Sequence, residues 1–172
     1  MRAREVIEAA HAAVPAHPPA LVRQAEKGVD RSSQDIVAAC LVGEAGGEGA
    51  QGMQAVMNVI YNRAGGHASK FAKVALKPRQ FSMFNRTQGK HPARSVAQVV
   101  AAAKKHPCWE QARVMVQQAA SGRLADITRG ANHYHEKSIS PEWADPKCMT
   151  VQIGRHVFYR NSVAEQLLSF LV

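Results

Sequence analysis

Apolar residues recur at helical spacing through most of this chain and switch to alternation near its end. Val37, Cys40, Leu41 and Glu44 stand at i, i+3, i+4 and i+7. One carboxylate, Glu44, therefore shares the apolar face of a helix predicted over residues 33–45. Ser32, with Asp35 three residues on, reads as a capping box with Ser32 as N-cap. Gly46, Gly47 and Gly49 end or break that helix. A second helix is expected over 50–63, with Met53, Val56, Met57, Ile60 and Tyr61 facing the core and Gly65-Gly66 closing it.

Residues 69–76 read as a short helix stopped by Pro78, and 79–85, RQFSMFN, as a polar-aromatic loop. Ala-rich residues 95–105 form another helix. Pro107 suits the first turn of the next, which carries Trp109, Ala112 and Val116 inward and ends at Gly122. From Ala131 the period becomes two. NHYHE and VQIGRHVFYRN, the latter around Gly154, read as strands. Helices followed by a small antiparallel sheet make an α+β fold.

The ends extend this plan. Val6, Ile7, Ala10 and Val14 mark a helix over 3–14, and Pro15, Pro18 and Pro19 make an extended connector. Residues 1–32 are read as this leading helix and connector, and 33–172 as the main domain. A second capping box, Ser162 to Glu165, opens an apolar end in which Leu167, Leu168 and Leu171 are expected to dock on the domain.

Composition narrows the class. A chain of 172 residues holds one domain with a sizeable core. No apolar run nears the roughly 18 residues that cross a membrane. The start, MRAREVIEAAHAAV, interleaves charges rather than leading into an apolar core, so synthesis without a secretory signal is expected. Three cysteines make no even framework and no C-x-x-C pair; Cys40 and Cys108 read as small buried apolar residues in a reducing compartment. The net charge of +9, 22 basic against 13 acidic residues, calls for an anionic partner or is a solvated basic surface. Nucleic acid is disfavoured, since aromatics are not interleaved with the basic residues. Anionic polymers and envelope lipids remain.

The run IVAACLVGEAGGEGAQGMQAVMNVIYNR resembles the opening of the SleB/CwlJ-type cell wall hydrolases. Those proteins carry a helix ending in A-E-A-x-G-E, then G-x-x-A-V-x-x-V-x-x-N-R. Gly43 to Glu48, Gly52, Ala55, Val56, Val59, Asn62 and Arg63 match, with Gly43 where the family usually has Ala or Ser. Gln80-Phe81-Ser82, His133-Tyr134-His135 and the closing strand Ile153 to Tyr159 follow in family order, so the likeness covers roughly 33–160. It implies a mostly helical, lysozyme-like, transglycosylase-like core. It also implies a peptidoglycan-degrading glycosidase, a monomer acting on bacterial peptidoglycan without cofactor or metal. A phage-type endolysin fits best: a bacteriolytic enzyme made in the host cytoplasm that acts on the wall after release, with electrostatic contact to an anionic envelope open to it.

Glycosidic cleavage needs a carboxylic acid still protonated near neutral pH. Apolar neighbours can supply the roughly 2–3 kcal/mol of desolvation required. The resemblance assigns the catalytic role to Glu44, protonating the β-1,4 oxygen between N-acetylmuramic acid and N-acetylglucosamine and then acting as base. Paired-carboxylate glycosidases hold two groups about 5 or about 6.5–9.5 Å apart. Glu48 would be one turn from Glu44 in an unbroken helix, but the glycines interrupt it. Glu48 is then a residue supporting the site or a helix-capping anion. A lone acid favours attack by the muramic C6 hydroxyl, which is lytic transglycosylation with a 1,6-anhydro product.

Gln80 and Ser82 would hydrogen-bond acetamido or hydroxyl groups, and Phe81 either stacks on sugar or is core. His133 and His135 share one side of a strand while Tyr134 faces the other. Trp143 and Tyr159 line the cleft or anchor the sheet. Two other classes stay open. His133, His135 and His156, with Glu44 or Asp145, are a candidate zinc set for an amidase or peptidase, although no H-E-x-x-H is present. A non-catalytic basic module for wall polymer or nucleic acid is the other.

Overall fold

Helix α1, Arg31–Ala45, starts two residues earlier than its expected cap would allow. In the computed structural model, which describes residues 30–89 and 92–161, Asp30 is the N-cap. Its carboxylate accepts the Ser33 N–H at 3.0 Å and the Ser33 hydroxyl at 2.6 Å. Ser32 is not the cap, and no capping box joins it to Asp35. Asp35 turns inward instead and meets Lys104 Nζ at 2.6 Å and Arg113 Nε at 3.8 Å. Asp30 can do the same job two residues sooner, because either residue type offers an oxygen to the first free N–H groups.

Among the described residues five α-helices follow one another in chain order: α1, α2 (Gly49–Arg63), α3 (Phe71–Ala75), α4 (Val96–Ala103) and α5 (Trp109–Ala120). Packing on α1 from α2, α3, α4 and α5 buries Val37, Ala38, Ala39, Cys40 and Leu41 completely. The stripe read from the sequence is therefore narrower than the face that is buried. α2 serves two cores. Met53, Val56, Met57 and Ile60 enter the helical one, and Ala55 and Val59 join Ala131, Ile153 and Phe158 under the sheet. Tyr61, expected in the core, is half-buried against Phe71.

The segment 79–85, expected as loop, runs into a 3-10 helix, Ser82–Thr87. Phe81 and Phe84 are both buried, and the tight three-residue turn puts i and i+3 on one side. Pro107 lies in the turn ahead of α5, where Cys108 is the N-cap and only half-buried. Cys40 is buried, and no disulfide joins Cys40, Cys108 or Cys148.

Three strands follow among the described residues: β1 (His133–Glu136), β2 (Met149–Ile153) and β3 (His156–Tyr159). They form an antiparallel sheet in the order β1-β3-β2, with Tyr134 opposite Phe158 and a register shift between Met149 and Val151. The alternation read around Gly154 is thus a hairpin, β2 to β3. Two side-chain amides of α2, the buried Asn58 and the half-buried Asn62, place the sheet. Asn58 donates to Ala125 O at 3.1 Å and accepts from Ile127 N at 3.0 Å, and Asn62 donates to Ala131 O at 2.9 Å. Within that loop, burial pushes the Asp126 carboxyl up, but hydrogen bonds from Thr128, Asn62 and Gly130 outweigh it and leave the group below its ordinary value.

Among the described residues no helix is long and apolar enough to cross a membrane. The helix expected over 3–14, the proline connector and the apolar end at 162–172 lie outside the described residues.

Candidate active site

Glu44 sits at the last turn of α1, one residue before the end of the helix and the glycine-rich break, and is half-buried. Three donors converge on its carboxylate. Oε1 accepts the Ser82 hydroxyl and the Met83 backbone N–H, each at 2.9 Å, and Oε2 accepts the Tyr134 hydroxyl at 2.9 Å. The surroundings are therefore not simply the apolar face expected from spacing. A helix end, a 3-10 turn and a strand each contribute one side. Gly43 and Ser82 beside it are exposed, so the carboxyl opens to solvent where a polymer has access. The Met83 side chain lies across Gly43: a Cβ there would meet Met83 Sδ at 2.2 Å. Met83 is flexible, so the Ala or Ser that the resembling family usually has here would only move its thioether aside.

Tyr134 belongs to the inward face of the sheet with His156 and Phe158, its ring centroid 5.0 and 5.6 Å from theirs. Burial first, and then the Glu44 charge, push its phenol well above the ordinary range, so it remains a proton donor to Glu44. Cys40, one turn behind Glu44, is likewise raised by burial and by the Glu44 charge and stays a neutral thiol. Arg63 closes the back. Its Nε donates to Asn132 O at 2.5 Å, its guanidinium carbon stands 5.4 Å from the Phe81 ring centroid, and its Nη1 is buried without a hydrogen-bond partner. Burial lowers its pKa from the ordinary arginine value.

Glu48 is not a second free acid beside Glu44. The glycine break turns it away, and its side chain is only 9% exposed. Oε2 accepts the Arg155 N–H at 3.0 Å; His156 Nδ1 stands 2.9 Å and Arg155 Nε 3.7 Å from Oε1 as ion-pair contacts rather than aligned hydrogen bonds. Glu48 is the N-cap residue of α2 by position, but its side chain caps nothing. It clamps the β2–β3 turn to the helical half instead.

The remaining candidates divide by the pleat of the sheet. His133, His135, Trp143 and Tyr159 form one aromatic group on the outer face. Trp143 packs 5.3 Å from His133 and 5.7 Å from His135, and the Tyr159 hydroxyl is 3.0 Å from His135 Nε2. The structure does not bring these four to Glu44; they anchor the outer face of the sheet. Phe81 is buried core, against Tyr134 and Arg63. Gln80 is half-buried beside the turn and its side chain makes no hydrogen bond among the described residues. The zinc set comes apart for the same reason: His133 and His135 point to one face, and His156 to the other, against Glu48. Among the described residues no three His, Cys, Asp or Glu side chains are grouped to hold a metal. A groove of about 490 Å³ between α1 and α4, lined by Arg31, Asp35, Val96 and Lys104, includes none of the candidate residues.

Sequence reasoning missed the Met83 N–H, the unpartnered Nη1 of Arg63 and the tie from Glu48 to His156 and Arg155. A backbone donor leaves no trace in residue type. Arg63 and His156 did stand in the segments that carry the resemblance.

The chain is a mostly helical α+β domain closed by a small antiparallel sheet, with one carboxyl held at their junction. The family model described as cell wall hydrolase matches residues 47–159, and the chain belongs to that family and is a peptidoglycan-degrading enzyme. The matched span includes Glu48 and starts three residues after Glu44. In fold the chain is similar to the catalytic domain of the germination-specific lytic transglycosylase SleB from Bacillus anthracis, at 22% identity and a TM-score of 0.55, over 78% of this chain and 99% of that one. It is also similar to the catalytic domain of the Bacillus cereus SleB protein, at 22% identity and 0.53, over 78% and 94%. No curated protein matches the chain.

Proposed function

We propose that this enzyme cleaves the β-1,4 bond between N-acetylmuramic acid and N-acetylglucosamine as a lytic transglycosylase, with Glu44 as its acid and base. The observation that carries this reading is the triple hold on one solvent-facing carboxyl, with the nearest acid in sequence, Glu48, committed to the hairpin. Oε1 already accepts two hydrogen bonds, while Oε2 accepts one. A carboxylate oxygen offers two lone pairs, so the acidic proton belongs on Oε2, beside the Tyr134 hydroxyl.

From there it passes to the bridging oxygen as the C1–O bond breaks, and the departing sugar leaves with a hydroxyl. Positive charge develops on the muramic ring, and the carboxylate now facing it offsets that charge. The C6 hydroxyl of the same ring bonds to C1, and its proton returns to Glu44. No water is consumed, and the product ends in a 1,6-anhydro ring. With no second free carboxylate beside Glu44 among the described residues to activate a water, the internal hydroxyl is the better nucleophile.

Mass spectrometry of digested peptidoglycan tests this. Anhydro-muramyl ends are expected from the wild type and none from Glu44→Gln. Reducing ends would make the enzyme a hydrolase of the same bond, and freed peptides would overturn the glycosidase reading.

A further inference from the structure

The excess positive charge of this protein is not spread over it. Between Gly49 and Trp109 the chain has ten basic side chains and no acidic one; the rest carries 12 basic against 13 acidic. Lys70, Lys73 and Lys77 follow one side of the α3 turn at helical spacing, and Arg79, Arg86 and Arg94 continue from its end; all six are exposed. Two hydrogen bonds hold these pieces together: Arg94 N donates to Arg86 O at 3.2 Å, and the Gln88 amide donates to Leu76 O at 3.3 Å. Among the described residues, Lys70, Lys73, Arg79, Arg86 and Arg94 form no ion pair. The loop that carries them is continuous with the Ser82–Thr87 turn, whose Ser82 and Met83 hold Glu44.

Like charges gathered as Lys70, Lys73, Arg79, Arg86 and Arg94 are, with no counter-charge on them among the described residues, cost self-repulsion, and that cost is relieved when an anion arrives. The stretch that carries these charges also supplies Ser82 and Met83 to Glu44, so a glycan held at Glu44 brings its own anions to it. We infer that the basic face formed by residues 70–94 binds the carboxylates of the peptide stems that hang from the strand being cleaved, and so draws the strand onto Glu44. This rests on the proposed function above. Lysine and arginine suit such a target, since mobile peptide carboxylates need charge and reach more than a fixed pocket.

The test compares the wild type with a variant carrying Lys70→Gln, Lys73→Gln, Arg86→Gln and Arg94→Gln. The substrates are intact sacculi, sacculi stripped of phosphate polymers by hydrofluoric acid, and peptide-free glycan strands whose freed lactyl carboxyls are capped as amides. At low ionic strength the variant should show a KM about tenfold higher on both kinds of sacculi, with kcat and melting temperature unchanged. On peptide-free strands the two proteins should be equal. Added salt should raise the wild-type KM on sacculi and leave it unchanged on peptide-free strands, a measurement that needs no variant. Equal KM values on sacculi would overturn the inference. So would an equal loss on peptide-free strands, which would put sugar on this face, or a loss that vanishes after phosphate removal, which would put a phosphate polymer there. Wild-type protein that cleaves none of the three would overturn the Glu44 reading instead.

Discussion

Tyr134 donates its hydroxyl to Glu44 Oε2 at 2.9 Å across 90 positions of sequence. That bond spans the boundary between the helical half and the sheet. Tyr134 sits opposite Phe158 on the neighbouring strand and packs against both buried clusters, so the sheet as a whole sets where its hydroxyl points.

Removing that hydroxyl should therefore misplace the acid without unfolding the protein. Tyr134→Phe keeps the ring against Phe158 and His156 and loses one hydrogen bond, worth about 1 kcal/mol of stability. We expect kcat on peptidoglycan to fall roughly 10–100-fold with KM little changed, since small displacements of a reacting group cost that much. Full kcat in Tyr134→Phe would remove Tyr134 from the positioning of Glu44.

Glu48 and Gly154 should behave as two halves of one clamp. Gly154 has φ +56°, and a Cβ there would lie 2.2 Å from Glu48 Oε2. Glu48→Gln removes the charge facing Arg155 and His156, and Gly154→Ala forces the carboxylate aside and strains the turn. Both should lower stability by about 1–3 kcal/mol, as a buried polar group left without its partner does. Both should keep far more activity than Glu44→Gln. A Glu48→Gln protein with normal melting and no activity would exchange the roles of the two glutamates.

The division between what was legible in the sequence and what was not follows from distance along the chain. The spacing of Val37, Cys40, Leu41 and Glu44 is local, and it led to α1 and to Glu44 on its inner side. Gly46, Gly47 and Gly49 showed where that helix breaks. The partners of Glu44 were partly hidden. Ser82 and Tyr134 come from 38 and 90 residues away, and Met83 acts through its backbone. Strand alternation put His133 with His135 and Tyr134 opposite them, but alternation cannot say which face turns inward. That choice is made by Phe158 and Ile153 packing on Ala55 and Val59 of α2. The cap slipped by two residues because Asp30 and Ser32 are both good caps, and only the inward pull of Lys104 and Arg113 on Asp35 separates them.

Metal removal should leave activity intact. The three histidines of the candidate zinc set are split across the sheet, and His156 is occupied by Glu48. We expect wall degradation to be the same before and after dialysis against EDTA. Loss with EDTA and recovery on adding zinc would mean that the described arrangement is not the active one.

His133 should make the fold sensitive to mild acid. Burial first, and the Arg63 charge second, lower its imidazole from 6.5 to about 4. The ring packs on Trp143, and its Nδ1 lies 2.9 Å from Asn132 Oδ1. An unfolded chain protonates this histidine near 6.5, while the folded protein holds it neutral until about 4. Between those values the unfolded state binds more protons, so stability falls as pH falls through that window and is fully present above it. Solvent reaching part of the ring trims the loss to about 1–2 kcal/mol. His133→Phe keeps an aromatic ring against Trp143 and removes the titration. Melting temperature measured from pH 7 to pH 4 should drop more steeply for the wild type than for His133→Phe, with the gap opening below about 6.5. Below about 4 both states carry the proton, and the gap should stop growing. Parallel melting curves across the whole range would show that His133 contributes nothing to the acid sensitivity of this protein.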